Sequence, residues 1–170
     1  MDVKYGYISG ADRFFFQLSA IDVYTREVVG YHLGLSCTAK DAVRVISRAL
    51  TKRRIEGGDT KGLVLRTDNG PQFIANVFVK ACEELGIVHE RIPVRTPNMN
   101  AHIESFHAIL EEECYSQNEF ESFIDVYATV SQYMEYYNER RRHGSLGYKA
   151  PSQFHEAFLR NNAKGIAIVA

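Results

Sequence analysis

The chain has 170 residues, 45% of them hydrophobic, and a formal net charge of −1 at pH 7. This length and apolar content suffice for one domain with one full core. The nearly balanced charge excludes a polybasic, histone-like binder of nucleic acid. No apolar run reaches membrane-spanning length, and no signal peptide is recognisable. The three cysteines lack metal-site or disulfide spacing, so we expect the reduced, partly buried thiols of a cytoplasmic protein.

The first third of the chain predicts an antiparallel meander followed by a helix. Apolar, β-prone runs separated by short turns predict strands over 2–9, 14–21 and 28–35. Thr38 is a good N-cap, and the apolar spacing after it predicts a helix over 39–54 that Gly57-Gly58 ends.

The rest of the chain alternates strands with helices. Pro71 suits the first turn of a helix and Gly86 its C-terminal stop. The remaining predicted elements are a strand at 62–67, a helix at 71–85, a strand at 87–92, a loop at 93–100, and helices at 100–114, at 121–142 and from Pro151. This order predicts an α/β fold with a mixed five-stranded sheet, three antiparallel strands and then two parallel ones, and helices on both faces. We assign 1–118 to the core and 119–170 to a C-terminal helical extension packed on the same domain.

Three carboxylates occupy three separate predicted elements. Asp2 lies on the first strand, Asp68 ends the fourth strand before an Asn-Gly turn, and Glu104 lies near the start of a helix. A right-handed crossover would set the fourth strand parallel beside the first, bringing Asp2 and Asp68 together. Each acid alone is ordinary: Asp68 suits a turn, and Glu104 could be a first-turn helix acid favoured by the dipole. Together they are what a divalent-metal phosphoryl-transfer site needs.

Five segments in this order resemble the catalytic core of retroviral-type integrases and bacterial insertion-sequence transposases. The segments are Met1–Tyr5, Ile21–Gly30, Arg66–Phe73, Asn100–Phe106 and Tyr137–Pro151. The resemblance implies a ribonuclease-H-like fold and an Asp–Asp–Glu triad of Asp2, Asp68 and Glu104 that is both catalytic and metal-binding. It further implies two Mg²⁺ (or Mn²⁺) ions per site, used to cleave DNA strands and transfer them to a second DNA.

The same resemblance implies several partners. These are DNA, as transposon ends and target, further copies of the chain in a homo-oligomer, and an upstream domain that recognises the DNA ends. The expected location is the bacterial cytoplasm, in association with the nucleoid. Two features depart from the family pattern: Glu111 replaces a frequent Lys or Arg, and Met99 precedes Asn100-Ala101 in place of Asp. A stand-alone nuclease and an inactive DNA-binding or assembly module therefore stay open as alternatives.

Candidate DNA contacts fall into two groups. Asn69 and Gln72 could orient phosphate or water beside Asp68, although turn chemistry also explains Asn69. The strongest basic cluster could bind phosphates, or it could be a solvated helix end that complements the helix dipole. That cluster consists of Arg140, Arg141, Arg142, His143 and Lys149. We interpret His102 and His107 as surface or DNA-facing residues, since imidazole is a poor ligand for magnesium.

Overall fold

A computed structural model describes residues 1–53, 60, 62–93 and 100–162. Within these ranges the strands are β1 (Asp2–Ile8), β2 (Arg13–Ile21), β3 (Val28–Gly34), β4 (Val64–Thr67) and β5 (Val88–Arg91). The α-helices are α1 (Ala39–Lys52), α2 (Pro71–Ile74), α3 (Asn76–Glu84), α4 (Ala101–Glu113), α5 (Phe123–Glu139) and α6 (Pro151–Asn162). The predicted loop at 93–100 and the predicted helix stop at Gly57-Gly58 lie largely outside the described residues.

The strands form two sheets rather than the single five-stranded sheet that we predicted. β1, β2 and β3 make an antiparallel meander, with Asp2 opposite Ser19, and β4 and β5 pair in parallel. The described residues contain no ladder between β1 and β4. β1 starts at Asp2, and the preceding Met1 lies beside β4, where its amino group donates a 2.6 Å hydrogen bond to the Arg66 carbonyl. Burial of this amino group lowers its pKa to about 6.

The three-stranded sheet separates two apolar clusters, because successive side chains of a strand point to opposite faces. On one face, Phe15 packs with residues of α4 and α5, including Phe106, Leu110 and Val130. On the other face, Leu18 packs with residues of α1, α2 and α3. The prediction of helices on both faces is therefore confirmed.

α1 is fixed at both ends. At its start, Thr38 and Asp41 form a reciprocal capping box, as the sequence predicted for Thr38. At its end, Arg53 donates hydrogen bonds to Asp22, Thr25 and Glu27 in the turn between β2 and β3. This contact locks the turn to the helix, and we call it the Arg53 clamp.

The predicted helix over 71–85 is divided at Ala75, whose ψ of 138° is extended. Phe73 and Phe78, five residues apart, would not share one face of a continuous helix. The break lets both rings enter the same core, where their centroids lie 5.4 Å apart.

Helix α5 packs against the sheet. A capping box of Ser122 and Asp125 begins α5, and its buried side chains belong to the same cluster as Phe15. Near its end, the Asn138 amide accepts a hydrogen bond from the Val28 N–H and donates one to the Val28 carbonyl, both buried. No described helix combines the length and apolar character required to cross a membrane. Cys37, Cys82 and Cys114 are all free thiols.

Candidate active site

Asp2 is half-buried at the start of β1, on the side of the sheet that faces α4. Its Oδ1 accepts a 2.7 Å hydrogen bond from the Val3 N–H. Its Oδ2 lies 3.7 Å from Nδ1 of His107 on α4. Burial lowers the His107 pKa to about 4, so the imidazole is neutral at pH 7, and its Nε2 has no hydrogen-bond partner among the described residues.

Asp68 follows β4 directly, as predicted. Its Oδ1 accepts a 3.0 Å hydrogen bond from the Gly70 N–H. A Cβ at Gly70 would lie 2.5 Å from the Gln72 amide nitrogen and 3.0 Å from Asp68 Oδ1, so only glycine permits this turn without displacement. The Asn69 side chain donates to the Ile92 carbonyl at 2.9 Å and so joins the ends of β4 and β5.

Glu104 lies in the first turn of α4, where the helix dipole favours an acid. Ile103 and Phe106 are buried and fix the rotation of the helix. Glu104 itself is exposed and lies three residues before His107, on the same helix face. Since His107 contacts Asp2, this face of α4 is turned toward the start of β1.

The charges of the other two acids both act on Asp2. Burial is the largest cause of its raised pKa, and the negative charges of Asp68 and Glu104 raise it further. The Val3 hydrogen bond and the Met1 amino group oppose this shift. Asp68 and Glu104 therefore both lie within electrostatic range of Asp2.

The donor chemistry of these acids suits a hard divalent cation, which prefers carboxylate oxygens. A bound cation would also relieve the repulsion that raises the Asp2 pKa. The side chains are not arranged as a finished metal site, because the described part of the chain contains no group of three His, Cys, Asp or Glu residues that could hold a metal ion.

The basic cluster of the tail divides into engaged and free residues. Arg141 makes a bidentate ion pair with Glu113, with its Nε 2.9 Å from Oε1 and 2.8 Å from Oε2. His143 is buried against the Tyr137 ring, and burial lowers its pKa to about 4. These two residues hold the tail together and are not available to phosphate. The other three residues of this cluster are exposed and make no ion pair among the described residues. They are Arg140, Arg142 and Lys149.

Comparison with protein-family models decides the family. The model described as Integrase core domain matches residues 1–97, and a second model of the same description matches residues 85–151. The chain belongs to the integrase core domain family. The insertion element IS476 uncharacterized 39.2 kDa protein of Xanthomonas euvesicatoria is 31% identical over 137 residues, which cover 81% of this chain and 38% of that protein.

Other relatives agree with this assignment. The transposase for insertion sequence element IS904 of Lactococcus lactis is 28% identical over 79% of this integrase core and 52% of its own length. The integrase core thus spans about half or less of these relatives. The HTLV-2 integrase catalytic core in complex with magnesium (trimeric form) has a TM-score of 0.63 at 16% identity, covering 91% of this chain and 93% of that one. The predicted α/β, ribonuclease-H-like fold is confirmed.

Two contacts of this integrase core were not predicted from the sequence. Glu111, which departs from the family pattern, forms a 2.7 Å ion pair with Lys4. His107, interpreted as surface or DNA-facing, is instead half-buried beside Asp2. Strand alternation puts Asp2 and Lys4 on one face of β1, and helical spacing puts Glu104, His107 and Glu111 on one face of α4. These two periodicities could have predicted the contacts of Lys4 with Glu111 and of Asp2 with His107.

Proposed function

We propose that this integrase core catalyses metal-dependent cleavage of DNA strands and transfer of the freed 3′ ends to a second DNA, as in DNA transposition. The observation that carries the proposal is the 3.7 Å contact of Asp2 with His107, which turns the helix face of Glu104 toward Asp2. The charges of Asp68 and Glu104 both raise the pKa of the half-buried Asp2, which supports the same grouping. Membership of the integrase core family and a relative named as a transposase support it.

In this proposal Asp2, Asp68 and Glu104 hold two Mg²⁺ or Mn²⁺ ions. The magnesium in the HTLV-2 integrase core supports the choice of metal. When bound, such ions activate the attacking oxygen and stabilise the leaving oxygen of a phosphodiester. The chain's own contribution is orientation, because the Val3 and Gly70 N–H groups each fix one carboxylate oxygen of Asp2 and Asp68.

DNA in this proposal contacts the acids and the exposed cations of the tail. Arg140, Arg142 and Lys149 are suited to phosphates because none has an ion-pair partner among the described residues. Gln72, at the Asp68 turn, remains a candidate for orienting phosphate or water, whereas the Asn69 amide is used between β4 and β5. We further propose a homo-oligomer, an upstream domain that recognises DNA ends, and action at the nucleoid in the bacterial cytoplasm.

The test uses the full-length protein with labelled DNA carrying the ends of its element, in Mn²⁺ and in Mg²⁺. We expect cut and joined products from the unmodified protein, and a loss of at least about a hundredfold in Asp2→Asn, Asp68→Asn and Glu104→Gln, because each removes a charged ligand of one functional unit. Asp12→Asn and Glu121→Gln make the same chemical changes at exposed acids, and they should keep full activity.

The products also separate the alternatives. Cut DNA without joined DNA would mean a nuclease, and bound but intact DNA would mean a binding or assembly module. Equal activity in the triad variants and the controls would refute the assignment of the acids, provided that thermal unfolding shows all variants folded.

A further inference from the structure

The turn between β2 and β3 contains a residue whose backbone conformation disfavours its own side chain. Arg26 has a φ of +60°, in the left-handed region where glycine is preferred. Its N–H donates to the Asp22 carbonyl at 2.8 Å, and the Asp22 N–H donates to the Glu27 carbonyl at 2.9 Å. This conformation costs a non-glycine residue about 1–2 kcal/mol of conformational free energy. Glycine at this position would therefore stabilise the turn.

The acids of this turn are occupied by other cations. Asp22 and Glu27 each make an ion pair with Arg53, at 2.8 Å and 2.5 Å, and Glu27 makes a second one with Lys52 at 2.8 Å. Asp22 also accepts hydrogen bonds from the Tyr24 and Thr25 N–H groups. Arg26 is therefore a cation with no ion pair among the described residues. The turn that carries it is joined to the end of α1 by the Arg53 clamp.

The turn that carries Arg26 lies beside the first turn of α4, the helix of Glu104. Its Nη1 donates to the Val23 carbonyl. Val23 and the first turn of α4, with His102 and Ile103, line a common cavity of about 280 Å³ that Met1 also borders. On the other side of the turn, Val28 exchanges hydrogen bonds with Asn138 near the end of α5. The turn that carries Arg26 thus lies between the start of α4 and the end of α5.

We propose that Arg26 binds a backbone phosphate of the DNA where the strand passes from the acid triad to the exposed cations of the tail. This inference rests on the proposed DNA function. A guanidinium has five N–H donors in a planar fork that matches phosphate, and the described contacts of Arg26 use one of them. A strained residue that the turn does not need, with a free charge beside a candidate active site, is best explained by binding.

Arg26→Gly separates this role from a structural one. Glycine suits the left-handed backbone, so the variant should unfold at the same temperature as the unmodified protein or higher. Its affinity for a mixed-sequence duplex of about 30 base pairs should fall about five- to tenfold at 0.1 M salt, and the slope of log K against log[salt] should lose about one unit. Fluorescence anisotropy over a salt series measures both.

Two control variants accompany it. Arg26→Lys keeps the charge and the same strained backbone, and it should keep the salt slope. Arg13→Ala removes an exposed arginine of β2 that pairs with Ile8, at the far end of β1 from Asp2. This variant should leave the salt slope unchanged. An unchanged slope in Arg26→Gly, a lowered unfolding temperature in that variant, or an equal loss in Arg13→Ala would overturn the assignment of Arg26. Absence of DNA binding by the unmodified protein would instead refute the proposed DNA function, and this inference with it.

Discussion

At the scale of single residues, the tail shows how one run of basic side chains divides between stability and binding. Arg141 is held by Glu113, which also accepts a 2.8 Å hydrogen bond from the Tyr133 hydroxyl. The Arg141 hydrogen bonds are the largest cause of the lowered Glu113 pKa. Arg140 and Arg142, on either side of Arg141, are exposed. Sequence could not distinguish these neighbours, because the partner of Arg141 lies 28 residues earlier, at the end of α4.

The Glu113–Arg141 pair should show a measurable coupling energy. In a double-mutant cycle with Glu113→Ala and Arg141→Ala, we expect a coupling free energy of about 1–2 kcal/mol. The bidentate geometry strengthens the pair, whereas the exposure of a third of the Glu113 side chain weakens it. The folded pKa of Glu113 is depressed, so the coupling should be full above its unfolded pKa of about 4.3 and be lost as the pH falls through the folded value. Urea unfolding at several pH values measures it.

The exposed pair Glu156–Arg160 provides the matched control. Its residues are four apart on α6 and largely exposed, so its coupling should stay below about 0.5 kcal/mol. If both pairs couple equally, or if the Glu113–Arg141 coupling is independent of pH, the ion pair does not stabilise the tail as we infer.

At the scale of elements, the Arg53 clamp joins the end of α1 to the turn between β2 and β3. Glu27 is almost fully buried there, with a side chain only 4% exposed. Its charge is tolerated because Arg53 and Lys52 both reach it. The clamp could not be predicted from the sequence, because the acids that Arg53 contacts lie 26 and 31 residues earlier.

Removing Arg53 should therefore destabilise the protein strongly. We expect Arg53→Met to lower the free energy of unfolding by about 3 kcal/mol, because it leaves a buried carboxylate with one partner. Combining it with Glu27→Gln should recover part of this loss. Lys52→Met should cost less than about 1 kcal/mol, because the Lys52 side chain is 36% exposed. Urea unfolding measures these changes, and the m-value should stay the same in all variants. Equal losses of unfolding free energy in Arg53→Met and Lys52→Met would contradict the Arg53 clamp.

At the scale of the whole molecule, the sequence was sufficient for the features that depend on local pattern. Apolar, β-prone runs separated by short turns predicted β1, β2 and β3, and the cap residue Thr38 predicted the start of α1. The position of Asp68 after β4 followed from its Asn-Gly turn. Features that depend on distant contacts were not predictable: Ala75 interrupts a good helical pattern because Phe73 and Phe78 enter one core. The ion pair of Lys4 with Glu111 also requires the docking of α4 on β1.

The same long-range packing decides whether the tail is a separate unit. The apolar face of α5, including Val126, Val130 and Met134, is buried in one cluster with Ile8 and Phe15 of the sheet. A fragment of residues 1–118 would expose to water the part of this cluster that α5 covers, and this loss exceeds the margin of stability of a small domain. We therefore expect the full chain to unfold in one cooperative transition and the fragment to lack near-ultraviolet circular dichroism and bind a hydrophobic dye.

Two point variants on α5 test this expectation without cutting the chain. Val130 is fully buried, whereas Ile124 is 79% exposed. Val130→Ala should lower the free energy of unfolding by about 2 kcal/mol, and Ile124→Ala should change it by less than about 0.5 kcal/mol. Both variants should retain a single transition by fluorescence and circular dichroism, because α5 shares its core with the sheet. A fragment of residues 1–118 with native-like dichroism and cooperative unfolding would instead make the extension an independent unit.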